Sequence, residues 1–185
     1  MASTLSNMLP LGTMAPGFIL YDTVSGEELS LFENRGDKAT VLFFICNHCP
    51  FVIHVNDELV KIANDYTGKK VSFLAISSND VLKYPDDAPH LMRKRALELK
   101  YPFPYLFDES QEVAKSYDAA CTPDIYVFDK NLKLVYRGQL DDSRPDNGIP
   151  VTGSDLRHAL DCVIEDKPNT RPQKPSMGCG IKWKV

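Results

Sequence analysis

Apolar residues along the chain switch between short buried runs and a helical period, and each switch marks an element. Phe18-Ile-Leu-Tyr21 predicts a strand that leads into a turn through Ser25-Gly26. Val41-Leu-Phe-Phe-Ile45, an apolar run with polar flanks, predicts a buried strand. Val52, Val55, Leu59, Ile62 and Tyr66 then recur at helical spacing. That helix should begin at Pro50, whose missing N–H is not needed there, and end at Gly68. Val71–Ile76 reads as a second buried strand. A helix should run from Asp87 or Pro89 to about Lys100, followed by a short strand at Tyr105–Phe107. A short helix from Gln111 to Asp118 carries Val113 and Tyr117. Strands at Ile125–Phe128 and Leu132–Tyr136 flank the turn Asp129-Lys-Asn131, giving a hairpin. A last helix at 154–165 lines up Leu156, Ala159, Leu160 and Val163.

Strand, helix and strand in that order imply a right-handed parallel crossover and an α/β fold. The crossover puts residues 46–50 at the C-terminal end of a strand and the N-terminal end of a helix, the edge where open α/β sheets build their sites.

The 185 residues, 43% hydrophobic, suit one domain. The Pro-rich stretch 168–175 reads as a linker, which divides the chain into a domain of residues 1–170 and a tail of residues 171–185. A net charge of -4 and a pI near 5.5, without a basic stripe, exclude a nucleic-acid partner. No apolar run is long enough for a membrane span, and the N-terminus shows no secretory pattern, so the cytosol is the expected location.

Five cysteines, at 46, 49, 121, 162 and 179, form no repeated framework. In a reducing compartment such spacing points to catalysis or metal binding rather than to structural disulfides. Cys46-Asn47-His48-Cys49 is a C-x-x-C pair at a predicted helix start, where free N–H groups and the helix dipole favour a thiolate. An acidic Cys46 would attack a disulfide, and Cys49, one turn on, would resolve the mixed disulfide. An imidazolium at His48 would favour the thiolate further and shift the couple towards oxidising power. The bland alternative is a pair of inert buried cysteines beside a surface histidine.

Phe43-Phe-Ile-Cys-Asn-His-Cys-Pro50 and Cys121-Thr-Pro-Asp-Ile-Tyr-Val-Phe-Asp129 resemble the two active-site segments of the thioredoxin superfamily. They look closest to its redoxin branch, which groups TlpA-like thioredoxins with AhpC/TSA peroxiredoxins. Met14-Ala-Pro-Gly-Phe18, with Leu20 and Asp22, is similar to the opening of that branch, and Tyr136-Arg-Gly138 to the end of its last strand. The resemblance implies a thioredoxin-like fold, a central mixed sheet flanked by helices, over roughly residues 12–165. It implies a cis peptide before Pro123 and a Thr122 backbone that pairs with an incoming peptide. It also implies a disulfide-containing protein or small disulfide as substrate, a thiol electron donor, and no cofactor.

Some positions depart from that pattern. Ile45 stands where thioredoxins carry Trp, Asn47-His48 replaces Gly-Pro, and strand 41–45 has no acid to match their buried carboxylate. His48 resembles the histidine of the C-P-H-C centre in DsbA-type oxidases. A thiol peroxidase is the competing enzyme. Aligned on the helix start, Cys49-Pro50 falls where peroxiredoxins carry the peroxidatic cysteine. The loop before Cys46 lacks their proline, and Pro123 stands where their arginine would be. A redox-inert binding module is the non-enzymatic reading, and two intact cysteines speak against it.

Cys121 reads equally as a third redox thiol or a packed one. Cys179, in Met177-Gly-Cys-Gly-Ile181, is a free surface thiol or a mobile tail thiol that reaches the site or docks a partner. Cys162 belongs to core packing, and His54, His90 and His158 to solvent. Asp142 or Arg144 could rim the site. A metal at Cys46, His48 and Cys49 is weakly supported, since no second C-x-x-C pair accompanies them.

Overall fold

The computed structural model describes residues Ser3–Lys184, with Met1, Ala2 and Val185 outside the described residues. Its strands are β1 (Ser3–Leu5), β2 (Ile19–Asp22), β3 (Glu28–Ser30), β4 (Ala39–Phe44), β5 (Val71–Ser77), β6 (Tyr105–Phe107), β7 (Cys121–Thr122), β8 (Asp124–Asp129), β9 (Leu134–Gly138) and β10 (Met177–Gly180). Its α-helices are α1 (Pro50–Thr67), α2 (Pro89–Glu98), α3 (Glu112–Ser116) and α4 (Ser154–Ile164), with a 3-10 turn at Pro85–Asp87.

The buried run at 41–45 forms the heart of a seven-stranded mixed sheet of order β3-β2-β6-β5-β4-β8-β9. β4 pairs with β5 in parallel and with β8 antiparallel, so that Phe43 lies between Ala75 and Ile125. Successive side chains of a strand face opposite ways. Val41, Phe43 and Ile45 therefore enter one core with Val52, Leu59, Ile62, Leu156 and Leu160 of α1 and α4. Leu42 and Phe44 enter a second core with Leu74, Ile76, Tyr117, Tyr126 and Phe128. Both faces are covered, which is why this strand reads as a continuous apolar run rather than an alternating one.

All five positions of the α1 stripe are buried. The helix stops one residue before Gly68, which keeps a right-handed φ of −66°, and Lys70 takes the left-handed φ of 66° instead. The hairpin turn is longer than Asp129-Lys-Asn131: Leu132 has φ 58°, Asp129 N donates to the Lys133 carbonyl at 2.9 Å, and β9 begins at Leu134.

The largest departure lies at the chain ends. Residues beyond 170 do not form a tail separate from the domain. β10 is the middle strand of a second sheet of order β1-β10-β7, antiparallel to both neighbours. The chain arrives there by crossing Gly138, where a Cβ would collide with the Lys174 carbonyl. Ser176 Oγ donates to the Pro123 carbonyl at 2.6 Å, and Ile181 is buried in the second core. Beyond it, Lys182 N donates to Asn79 Oδ1 at 2.8 Å and Lys184 N to Gln111 Oε1 at 2.7 Å.

Candidate active site

The parallel crossover places residues 46–50 beyond the end of β4, as the sequence pattern requires. The first helical residue is Pro50, and Cys49 is the N-cap residue of α1. Cys46 thus lies three residues before the cap, and the helix field acts first on Cys49. Both sulfurs are enclosed, with Cys46 2% and Cys49 0% exposed. The Thr122–Pro123 peptide is cis, as the resemblance implied, and its loop packs on the pair. Thr122 Oγ1 is 3.5 Å from Cys46 Sγ, and the Thr122 carbonyl oxygen is 3.1 Å from Cys49 Sγ.

The surroundings of the pair favour a charge on Cys49 over one on Cys46. The two sulfurs are neighbours in one buried cluster. The Cys46 thiol beside it lowers Cys49 to about 4, assisted against burial by Cys179 and the Thr122 hydroxyl. The Thr122 carbonyl, 3.1 Å from Cys49 Sγ, accepts from a thiol there and opposes this. Cys46 is pushed up by the neighbouring Cys49, by burial, and by the negative charge of Asp87.

His48 turns its Nδ1 onto Asp87 Oδ2 at 2.7 Å, while Cys46 Sγ lies 4.0 Å from the same nitrogen. The bond to Asp87 raises the His48 pKa above its usual range despite burial. The ring stacks on Tyr84 at 5.4 Å between centroids, and Lys182 Nζ covers the Tyr84 ring at 5.6 Å. Asp87 also accepts from Asn47 N at 2.7 Å and from Asn79 Nδ2 at 2.8 Å. Burial works against its charge, yet the bonds from His48, Asn79 and Asn47 keep its carboxyl below the usual range.

Asp87 is thus a buried carboxylate beside the pair, supplied by the turn before α2 rather than by β4. Sequence reasoning missed it: Asp86-Asp87 before Pro89 looks like a helix start, and nothing local shows which residue the acid will face. A second buried acid, Asp124, follows Pro123. Burial raises it to about 7, and its Oδ1 has no partner.

Cys121 is buried on the cis-proline loop, its sulfur 3.6 Å from the Pro123 carbonyl. Burial and Asp124 push its thiol up, which suits packing better than redox work. Cys179 is neither a surface thiol nor mobile: it is 4% exposed and pairs with Thr122 in the β10–β7 ladder. Asp142 pairs with Lys174, and Arg144 donates to Gln139 Oε1 and to two carbonyls of its own loop. His54 bonds Ser143 Oγ at 2.7 Å rather than facing only solvent. Cys162 lies half-buried on α4, 3.5 Å from His158 Nε2. Donor atoms of Cys46, His48 and Asp87 lie within 4.8 Å of one another and are the residues placed to hold a metal ion.

The AhpC/TSA family matches residues 11–137, more than half of the sequence and both flanks of the C-x-x-C pair. The chain belongs to the AhpC/TSA family. An uncharacterized conserved protein from Geobacillus kaustophilus is 61% identical over 100% of this chain and 97% of its own, with a TM-score of 0.98. A hypothetical protein from Sinorhizobium meliloti is 44% identical over 98% of this chain and 99% of its own, with a TM-score of 0.96. The thioredoxin domain of a thiol-disulfide oxidoreductase from Bacteroides vulgatus is 22% identical over 75% of this chain and 92% of its own, with a TM-score of 0.59. That last likeness shows a shared thioredoxin-like fold. No curated protein matches. Family membership supports a redox enzyme in general terms. Among the described residues, no helix of this AhpC/TSA protein is long and apolar enough to cross a membrane.

Proposed function

We propose that this AhpC/TSA protein is a thiol–disulfide oxidoreductase whose redox couple is Cys46 and Cys49. The observation that carries the reading is a pair of buried, neighbouring sulfurs at the start of α1, against the Thr122–Pro123 loop. Asn47 and His48 bridge the pair and tie it to Asp87, while Pro50 starts the helix without requiring an N–H partner.

The lowered Cys49 thiol supports roles in the reverse of the sequence order. The Cys49 thiolate attacks the substrate disulfide, whose S–S bond breaks as one substrate sulfur leaves with the electron pair. Cys46 then attacks Cys49 Sγ, releasing the second substrate sulfur and closing a Cys46–Cys49 disulfide. The substrate gains two electrons, and an external thiol donor returns them to the couple. Disulfide-containing proteins and small disulfides fit this chemistry.

Insulin reduction with a dithiol donor tests the reading. Wild type should be active, and Cys46→Ser should stall as a mixed disulfide through Cys49. Trapping only in Cys49→Ser would restore the other order, and no exchange by wild type would remove the function.

One observation favours a second reading, peroxidase chemistry: Cys49, at the N-cap and followed by Pro50, carries the low pKa. Against it, Pro123 occupies the place of the peroxide-activating arginine. Rapid peroxide consumption by Cys46→Ser, without disulfide exchange by wild type, would reverse the ranking.

A further inference from the structure

An extended substrate that met the cis-proline loop would pair with the backbone of Thr122, adding a strand to a short sheet edge. That edge is already taken. Cys179 lies opposite Thr122 and Gly180 opposite Cys121 in an antiparallel ladder, and β1 closes the far side of β10. The fit depends on a missing side chain: a Cβ at Gly178 would collide with the Thr122 carbonyl. The same ladder sets Cys179 opposite Thr122, whose carbonyl oxygen lies 3.1 Å from Cys49 Sγ. Cys46, Cys49 and Cys179 consequently share one buried cluster. Docking at both ends, through Ser176 Oγ to Pro123 and Lys182 N to Asn79, keeps this register.

We propose that Met177–Gly180 is an in-chain substitute for a substrate strand, and that Cys179 is a third redox thiol that exchanges with Cys49. The inference rests on the Cys46/Cys49 couple proposed above and names the regulation of that site. When the couple is oxidised, the Cys179 sulfur gives up its proton and attacks Cys49 Sγ. A Cys49–Cys179 bond forms, the Cys46–Cys49 bond breaks, and Cys46 leaves as a thiolate that accepts that proton. No electrons enter or leave, so the protein passes between two isomeric disulfides. One closes the C-x-x-C ring, and the other ties β10 to the start of α1. While β10 is docked, no foreign peptide pairs with Thr122. Burial, aided by Cys49, raises the Cys179 thiol to about 12, so its attack is slow until Cys49 is drawn into a disulfide or β10 shifts.

Disulfide mapping of the full chain tests this. Wild type equilibrated in graded ratios of reduced to oxidised dithiothreitol should yield both the 46–49 and the 49–179 linked peptides. Cys46→Ser treated with diamide, which takes two electrons and two protons from two thiols, should yield a monomer linked 49–179. Free thiols or intermolecular dimers in Cys46→Ser, together with no 49–179 peptide from wild type, would overturn the proposal even if that variant folded poorly. Cys179→Ser separates the two readings. A 46–49 disulfide in that variant keeps the couple whatever the fate of Cys179, whereas its absence there and in wild type removes the couple itself.

Discussion

Cys49 and Asp87 set the behaviour of the site at the scale of single residues. A thiol held at about 4 in the folded protein, against about 8.5 in an unfolded chain, stabilises the reduced fold. Because the folded value is depressed, this contribution is present above the unfolded value and is lost as pH falls through about 4. The thiolate absorbance of reduced protein should therefore titrate near pH 4 and vanish in Cys49→Ser, and a titration near the ordinary thiol value would refute the assignment. His48 and Asp87 act in opposite directions. The raised His48 contributes fully below its ordinary value and loses that as pH rises through its folded value. The depressed Asp87 contributes above its ordinary value and loses it as pH falls through its lowered one. Their joint contribution peaks in mildly acidic solution. Asp87→Asn leaves three donors without their carboxylate, so denaturant titration should show a loss on the order of 2–4 kcal/mol. The His48 pKa, followed by NMR, should fall in the same variant.

Among the elements, α1 follows from its sequence and β10 does not. A stripe at 3.6 spacing can bury only one way, so Val52 to Tyr66 fix the face of α1 whatever lies opposite. β10 reads Met-Gly-Cys-Gly, with two residues that weaken a strand and no alternation to mark it. Its strand conformation comes from two partners far away in sequence, β1 and the two-residue β7. Gly178→Val should force β10 off Thr122. Cys46 and Cys49 should then react faster with iodoacetamide in native protein. An unchanged labelling rate would mean that β10 is not what covers the pair.

For the whole molecule, the two chain ends and the active-site loop form one structural unit, because β1, β10 and β7 share a sheet. Deleting residues 171–184 removes the middle strand together with buried Cys179 and Ile181. A cost of about 3 kcal/mol follows from the lost apolar burial and ladder bonds. Thermal unfolding should fall by about 10 °C as a single transition; an unchanged Tm would show that the tail is an appendage after all. The residues that build the sheet core, the α1 stripe and the C-x-x-C pair at their junction were readable from local pattern, since period and helix start are properties of neighbouring residues. The amino-acid order alone determined that two cysteines would meet at a strand–helix turn, and the resemblance added Thr122-Pro123 beside them. That Asp87 holds His48 and that Cys179 packs against the cis-proline loop were decided only by tertiary structure. Both depend on contacts between residues 39 and 57 apart in sequence, and charge, burial and strand pairing at such contacts leave no trace in either segment by itself.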